Sequence, residues 1–367
     1  MKWTALLFLL VLLTGQAAAT EEVDAVLLQQ MQIVGMDEIS AALPEKARND
    51  YDGFDAPMQA DLEEGIRQIM IHSLSELGTG LRAALRSAGK LLAVVLLCSM
   101  VKTAGEQAGV AVRIAGVLAV TMVCAGDLNT LVGLGRTTME ETSVFSAAIL
   151  PMLSSATAAA GAPASATALY AATVFMTQIL NRLLLNIFLP LTNLCLALAC
   201  AENTLSDSLV KRVRKLMQAL VANGLKALLV LFSAYLALTQ VVSGSADSAT
   251  VKAAKLALSS IVPVVGSVIA DASETVLVSA GILKGAVGIV GVLGVCAVCA
   301  APFLRLGVHY LTLKAAAALA GTLEDGAICN MIDAAAGVMG MILGMVGTSA
   351  LFNLIASVCF MKAVVPG

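Results

Sequence analysis

Long apolar stretches recur from residue 88 onward, and they constrain the fold of this chain more than any other feature. Because a helix needs ~20 apolar residues to cross the hydrocarbon of a bilayer, the pattern predicts an all-α, polytopic membrane protein. We expect about six to eight spans plus shorter re-entrant or broken segments. The stretches cover residues 88–100, 110–126, 144–161, 164–188, 191–201, 219–242, 256–270, 276–300, 303–319 and 334–361.

The composition supports this fold class. Hydrophobic residues make up 59% of the 367 residues and charged residues 13%, against about a half and about a quarter in an ordinary soluble protein. Aromatic residues reach only 4%, which argues against a barrel with aromatic girdles. Closely packed apolar helices in lipid are therefore expected, and a soluble enzyme is not.

Charge divides the chain into two regions. Residues 20–87 carry 13 acidic and 5 basic side chains, whereas residues 88–367 carry 12 acidic and 16 basic ones. We therefore predict a small acidic, helical, extracytoplasmic region at 20–87 and a multi-span transmembrane domain at 88–367. The acidic balance argues against nucleic acid as a partner, and the lipid bilayer is the first partner expected.

The first nineteen residues have the pattern of a secretory signal peptide. Lys2 precedes an apolar run at residues 3–13, and the small residues Ala17 and Ala19 suit cleavage before Thr20. A retained signal anchor is the alternative. An eleven-residue run rises only ~16 Å as a helix, about half the hydrocarbon thickness, which favours cleavage.

Residues 58–85 of the acidic region carry apolar residues at steps of three and four, which predicts an amphipathic helix. This helix could pack against its own domain or the membrane surface, or it could dock onto a partner.

Basic residues predict the orientation of the spans. The clearest predicted loop covers residues 202–218, which include the basic run 211–215, and the positive-inside rule places it in the cytoplasm. Lys252 and Lys255 mark a second cytoplasmic candidate. Three basic residues on the outer side of the first span oppose this orientation: Arg82, Arg86 and Lys90.

Neither the histidines nor the cysteines predict a catalytic, metal or cofactor site. The chain has two histidines, and its eight cysteines lie almost entirely in apolar stretches, so no cofactor and no disulfide framework is expected. Cys296 and Cys299 have CxxC spacing without a second pair or a histidine beside them. Helix packing is the favoured interpretation of this pair, with redox or metal chemistry as the alternative.

Two series of glycines predict close helix packing. The first series lies in one apolar stretch and the second near the end of the chain. Small residues at such spacing let neighbouring helices approach closely. The series are Gly281, Gly285, Gly288, Gly291 and Gly294, and Gly337, Gly340, Gly344 and Gly347.

Four sequence motifs follow one another between residues 252 and 288. They are Lys252-Ala253-Ala254-Lys255, Ile261-Val262-Pro263-Val264-Val265-Gly266, Ala270-Asp271-Ala272-Ser273-Glu274-Thr275-Val276 and Leu283-Lys284-Gly285-Ala286-Val287-Gly288. In order and spacing they resemble the signature stretch of the stage III sporulation protein AE family. An asparagine often follows the lysine of the last motif in that family, where this chain has Gly285.

The resemblance implies a polytopic subunit of the channel or secretion complex that links mother cell and forespore in an endospore-forming bacterium. It further implies a location in the mother-cell membrane around the forespore and a role in development after engulfment. The partners it implies are other stage III sporulation proteins, including a secretion-type ATPase and ring-forming channel proteins.

The same stretch predicts a broken helix beside a polar cluster. Pro263 removes a helix hydrogen bond and Gly266 loosens the next turn. Asp271 and Glu274 lie three residues apart and would be costly in hydrocarbon unless they face water, protein or a cation such as Lys284. Solvation in an interfacial loop is the alternative to a polar pathway or a docking role.

A weak internal repeat suggests a second function, that of an autonomous secondary transporter. An offset of 112 residues aligns Pro151 with Pro263 and Pro190 with Pro302. Repeated halves with proline-broken helices are typical of transporters, although chance identity is an equal explanation. A membrane enzyme is not expected, because the sequence shows no constellation of nucleophile, base or metal ligands.

Overall fold

The computed structural model describes residues 39–54, 60–103, 109–205, 208–261, 266–323 and 326–362, with the backbone alone for 39–40, 52, 102–103, 109, 243–261 and 266–278. Helices account for nearly all of them, and no strand occurs in these ranges. The helices are α1 (Ile39–Ala42), α2 (Glu45–Arg48), α3 (Leu62–Thr103), α4 (Gly109–Ala159), α5 (Pro163–Leu183), α6 (Leu189–Leu205), α7 (Ser208–Ile261), α8 (Gly266–Leu323) and α9 (Ala327–Lys362).

Among the described residues, six helical segments are long and apolar enough to cross a membrane, which confirms the prediction of an all-α polytopic protein. Each is longer than the hydrocarbon requires, because even the shortest, with 35 residues, rises about 52 Å against about 30 Å. The segments are Leu62–Val101, Val110–Ala159, Pro163–Leu205, Ser208–Val242, Ser279–Leu323 and Ala327–Lys362.

The six segments run alternately up and down through two apolar cores. The head-side core contains Phe54, Phe145, Phe232, Leu293 and Phe360, and the far core contains Leu91, Leu128, Leu306, Ile332 and Ile342. Each segment contributes to both cores, and the order reverses from one segment to the next. The pairs in chain order are Ile69 and Leu91, Leu128 and Phe145, Leu180 and Leu184, Val221 and Phe232, Leu293 and Leu306, and Ile342 and Phe352.

Helices α8 and α9 form the centre of the bundle. In the most apolar window of each span, 56% of the α8 residues and 44% of the α9 residues are buried, against 17–28% in the other four. The glycine prediction holds in part, since Gly294 faces the Phe145 ring and Gly340 lies against Tyr310. Around Gly281 and Gly285, however, a Cβ would meet no described atom within 4 Å, so these two make no close helix contact with the described part of the chain.

Proline shapes the long helices at three places. Pro151 and Pro302 lie inside α4 and α8, and a π-helical turn, Leu184–Phe188, immediately precedes the Leu189–Pro190 start of α6. Pro190 has no N–H to donate to the carbonyl one turn earlier, and the wider turn accommodates that loss.

The basic segment at 202–218 is not the extended loop that we expected. Helix α6 continues to Leu205 and α7 begins at Ser208, so the basic run lies in the first turns of α7. Arg214 Nε donates to Glu202 Oε2 at 2.6 Å, and both side chains are mostly buried. Helix formation and this ion pair together replace the loop.

The course of α7 contradicts the prediction that both of its basic sites lie in the cytoplasm. Lys211 precedes the apolar part of the Ser208–Val242 segment, whereas Lys252 and Lys255 follow it in the same helix. If this segment crosses the membrane once, the two sites lie on opposite sides.

The predicted division at residues 87 and 88 falls inside α3, which continues from Leu62 to Thr103 without interruption. Leu43, Ala47 and Phe54 of the acidic region pack into the head-side core together with α4, α8 and α9. The division therefore remains a prediction about topology, and the predicted signal peptide, 1–19, lies outside the described residues.

The 112-residue repeat does not relate the described helices. The offset pairs the turn at Gly161, whose φ is 90°, with Ser273, which lies inside α8. A turn and a helix interior have different backbone conformations, so a common structural unit does not follow from these proline spacings.

Candidate functional site: a polar cleft beside Pro302

The clearest polar feature of the bundle lies where α8 contains Pro302. The missing N–H frees the carbonyl of Val298 from its helix hydrogen bond. Arg305 follows within one turn, and its stem packs on α3 beside Gly80, where a Cβ would lie 3.4 Å from Arg305 Cγ. The glycine therefore leaves room for a charged side chain between two helices.

The cleft itself has a volume of about 270 Å³ and opens between the acidic region, α3, α4 and α8. Lys46 Nζ and Glu76 Oε2 form an ion pair at 2.6 Å on its wall. The lining also includes Ser73, Thr79, Pro302 and Arg305. Two cationic side chains and one carboxylate thus face a space large enough for several waters.

Ser73 gives the cleft a buried polar atom. The residue is 1% exposed, and its Oγ has no hydrogen-bond partner among the described atoms. A buried hydroxyl without a partner costs free energy, so this atom favours water in the cleft.

Buried polar contacts also occur inside the bundle, within the head-side core. Thr142 Oγ1 lies 3.2 Å from Cys299 Sγ, and Ser146 donates to Asn353. These contacts join α4 to α8 and to α9, and α8 and α9 are the two most buried helices. The head-side core therefore contains polar side chains that bond to one another.

A second cavity lies at the start of α3, on the side of the acidic region. It has a volume of about 310 Å³ and is lined by Asp50, Gln68 and His72 among others. Burial raises the pKa of the Asp50 carboxyl above its ordinary value, although the nearby His72, whose Nε2 is 3.3 Å from Oδ1, works in the opposite direction. Apart from this contact with His72, Asp50 Oδ1 has no hydrogen-bond partner in the described part of the chain.

A third, much smaller cavity lies farther along α3. It has room for about one water, with a volume of about 10 Å³, and is lined by Ser87, Cys124, Asp127 and His309 among others. His309 is 6% exposed, and its Nε2 has no hydrogen-bond partner within the described ranges.

The sequence-predicted cluster is separate from the cleft. Pro263 lies outside the described residues, between the end of α7 at Ile261 and the start of α8 at Gly266. Asp271 and Glu274 fall in the first three turns of α8, where the backbone alone is described. Lys284 is buried at 4% exposure, and its 18-residue separation from Pro302 corresponds to about 27 Å along the helix. The cluster remains a prediction.

Sequence reasoning missed the cleft because its residues are far apart in the chain. Lys46 and Arg305 are separated by most of the protein, and no local spacing relates them. One signal was available, namely a charged residue, Arg305, three positions after a proline in an apolar stretch. An arginine in an apolar stretch is equally consistent with a long side chain that reaches toward the membrane interface, so this signal alone does not predict a cleft.

The CxxC pair occupies a helix-packing position. Cys296 is half-buried, and Cys299 is buried against Thr142. Within the described residues no group of three or more His, Cys, Asp or Glu side chains could hold a metal ion.

Comparison with known proteins gives a family but no structural relative. The sequence model of the family described as Stage III sporulation protein AE matches residues 54–363. A relative from Bacillus subtilis (strain 168), also named Stage III sporulation protein AE, is 24% identical over 189 residues. That alignment covers 52% of this chain and 47% of the relative, so the chain matches about half of the relative's length. No solved structure matches.

The family match covers most of the chain, including all six segments that could span a membrane for nearly their whole length. The resemblance found in the motifs is therefore confirmed, and with it a role in sporulation. The family is a sporulation family and not a known enzyme family. The chain belongs to the stage III sporulation protein AE family.

Proposed function

We propose that this chain is the polytopic membrane subunit of the channel or secretion complex between mother cell and forespore, required for endospore development after engulfment. It lies in the mother-cell membrane that surrounds the forespore. Its partners there are a secretion-type ATPase and ring-forming channel proteins of the same developmental stage.

The separation of charge along the bundle is the observation that carries this proposal. The acidic region packs on the head-side core, and the basic first turns of α7 lie at the far-core end. The positive-inside rule places the far-core end in the mother-cell cytoplasm. One end is thus available to a cytoplasmic ATPase and the other to ring proteins between the two membranes.

Co-purification from sporulating cells tests the proposal. Tagged wild-type protein should retain the ATPase and the ring proteins in mild detergent. Replacing Lys211, Arg212 and Lys215 with Gln removes three exposed charges and leaves the Arg214–Glu202 ion pair intact. This variant should lose the ATPase alone.

A matched variant controls for the loss of charge as such. Arg67, Arg82 and Arg86 are exposed on α3, and their replacement with Gln should leave ATPase retention unchanged. Outside labelling of an Asp52→Cys probe in both variants checks that neither has inverted in the membrane. Wild-type protein that purifies alone, or a deletion strain with normal heat-resistant spore counts, would contradict the proposal.

An autonomous secondary transporter is the second candidate. The cleft of about 270 Å³ beside Pro302 and the π-helical turn before Pro190 favour it, because transporters place substrates at interrupted helices. Solute uptake into liposomes by the purified protein alone would support this candidate over the complex.

A further inference from the structure

The three cavities lie in sequence along one side of α3. The cavity at Asp50 includes Gln68 and His72, the cleft includes Glu76 and Gly80, and the smallest cavity includes Ser87. From Gln68 to Ser87 the separation is 19 residue steps of one helix, about 28 Å. The opposite walls come from the acidic region, then from α8, and finally from α4 together with α8.

Buried polar atoms lie at all three cavities, on residues that are at most 6% exposed. Ser73 Oγ and His309 Nε2 have no hydrogen-bond partner among the described atoms, and Asp50 Oδ1 faces His72 Nε2 at 3.3 Å. Such atoms are normally satisfied by protein or by ordered water. Water is therefore the partner that fits Ser73 and His309, and it can also reach the carboxylate of Asp50.

Beyond the third cavity the helices pack directly against one another through apolar side chains. Leu91 and Val95 of α3, Val117 and Val120 of α4 and Ala320 of α8 are fully buried in the far core. Their apolar side chains offer water no hydrogen bond. The series of cavities that begins beside the acidic region therefore ends at the level of His309.

Charged residues lie near His309 at this closed end. Asp127 of α4 lines the cavity together with His309, Arg305 lies one turn earlier in α8, and α3 faces the cavity with the neutral residues Ala84 and Ser87. Histidine is the side chain whose ordinary pKa lies nearest neutrality, so it can exchange a proton with water in this cavity.

We propose that α3, α4 and α8 enclose a water-filled path, closed at the far core, and that His309 beside Asp127 is a proton-binding site at its inner end. A hydronium ion that reaches this end transfers its proton to His309 Nε2 and leaves a water molecule behind. The proposal concerns this chain alone and holds for either candidate function.

Radiolytic hydroxyl labelling of the full-length wild-type protein in nanodiscs tests the path. Side chains beside water are oxidised, so comparison of chemically identical residues reports hydration. Cys124 lines the smallest cavity, whereas Cys195 is equally buried in the far core and lines none of the three cavities. Cys124 should be oxidised several-fold faster than Cys195, and equal rates would overturn the path.

A pair of glycine variants tests whether water enters through the cleft. Gly80→Leu places a side chain against Arg305, whereas Gly78→Leu points into open space, with no atom within 4 Å of its Cβ. Gly80→Leu should slow the labelling of Cys124 and His309 several-fold and leave His72 unchanged. Gly78→Leu should match wild type, and the same slowing in both variants would contradict entry through the cleft.

Nuclear magnetic resonance of ¹⁵N-histidine tests the proton site. The chain has two histidines, so a His72→Asn variant leaves the His309 signals alone. Those signals should change from neutral to protonated imidazole as the pH is lowered from about 8 to about 4. Signals of neutral imidazole that do not change over this range would overturn the proton-binding site, whatever the labelling shows.

Discussion

Helices α7 and α8 follow each other in the chain and are both long and apolar, yet they occupy different environments. In their most apolar windows, 17% of the α7 residues and 56% of the α8 residues are buried. Val230 and Leu238 of α7 are exposed to the surroundings, whereas Leu283, Val287 and Val290 of α8 are fully buried. In a membrane protein, apolar character thus indicates where a helix can lie and does not indicate which neighbour it contacts.

Substitutions at the junction between these helices should have the largest effect, which is on the number of heat-resistant spores. Asp271→Asn with Glu274→Gln removes both acidic charges at the start of α8, and neutral amides cost less in lipid than charges. If the two acids line a pathway or pair with a partner, the protein should reach normal membrane abundance while heat-resistant spores fall strongly. Spore counts and immunoblots of membranes measure both.

Two other outcomes of that experiment separate the alternatives. Normal spore yield at normal abundance would mean that the acids are simply solvated. Loss of the protein itself would indicate an ion pair needed for folding, and Lys284→Met should then reproduce the loss.

The next prediction concerns α7, and it tests whether a few buried side chains supply most of the stability of its packing. Phe232 is 1% exposed, and its ring meets the Phe352 ring of α9 edge to face at 4.8 Å. Phe232→Ala should lower the free energy of unfolding by about 3–5 kcal/mol, because it removes this contact and leaves a cavity. Val230→Ala, at a position 69% exposed, should change it by less than about 0.5 kcal/mol.

Unfolding of both variants in mixed micelles measures the difference. Equal, small effects would mean that α7 is held only by the bilayer, and equal, large effects would mean that its exposed face is covered by another chain.

Much of the fold follows from hydropathy, whereas the arrangement of the helices does not. Six spans and the all-helical class were predictable, because backbone groups in lipid must bond within their own helix. Burial of α8 was only partly predictable from its glycines, since Gly294 meets Phe145 but Gly281 meets nothing. The cleft could not be predicted, because Lys46, Glu76 and Arg305 come together only through helix pairing across the whole chain.

Two glycines of α8 test the burial of this helix further, and the expected change in stability is smaller. An alanine Cβ at position 294 would overlap the ring of Phe145, which is fully buried and cannot move aside freely. Gly294→Ala should therefore cost about 1–3 kcal/mol of stability through overpacking. Gly281→Ala should be neutral or gain up to about 1 kcal/mol, because alanine favours the helix and the site is open.

Thermal unfolding in detergent distinguishes the two alanine variants. A stabilised Gly294→Ala protein would show that the Phe145 contact is loose and that burial of α8 does not depend on this close approach.

The smallest expected effect concerns the acidic region, which packs on α8 through its short helix α2 and thereby buries Asp50. Burial raises the pKa of Asp50 above its ordinary 3.8, so the folded state binds this proton more tightly than the unfolded state does. The resulting stability is fully present below about pH 3.8 and is lost as the pH rises through the raised pKa. At neutral pH the ionised carboxylate therefore costs free energy.

Asp50→Asn should stabilise the protein by about 0.5 kcal/mol at pH 7, and this gain should disappear at low pH. Glu63→Gln, at an exposed position, should change stability little at either pH. A destabilised Asp50→Asn protein at neutral pH would mean that attraction to His72 outweighs burial, and that the acidic region is held on α8 by charge rather than by its apolar residues.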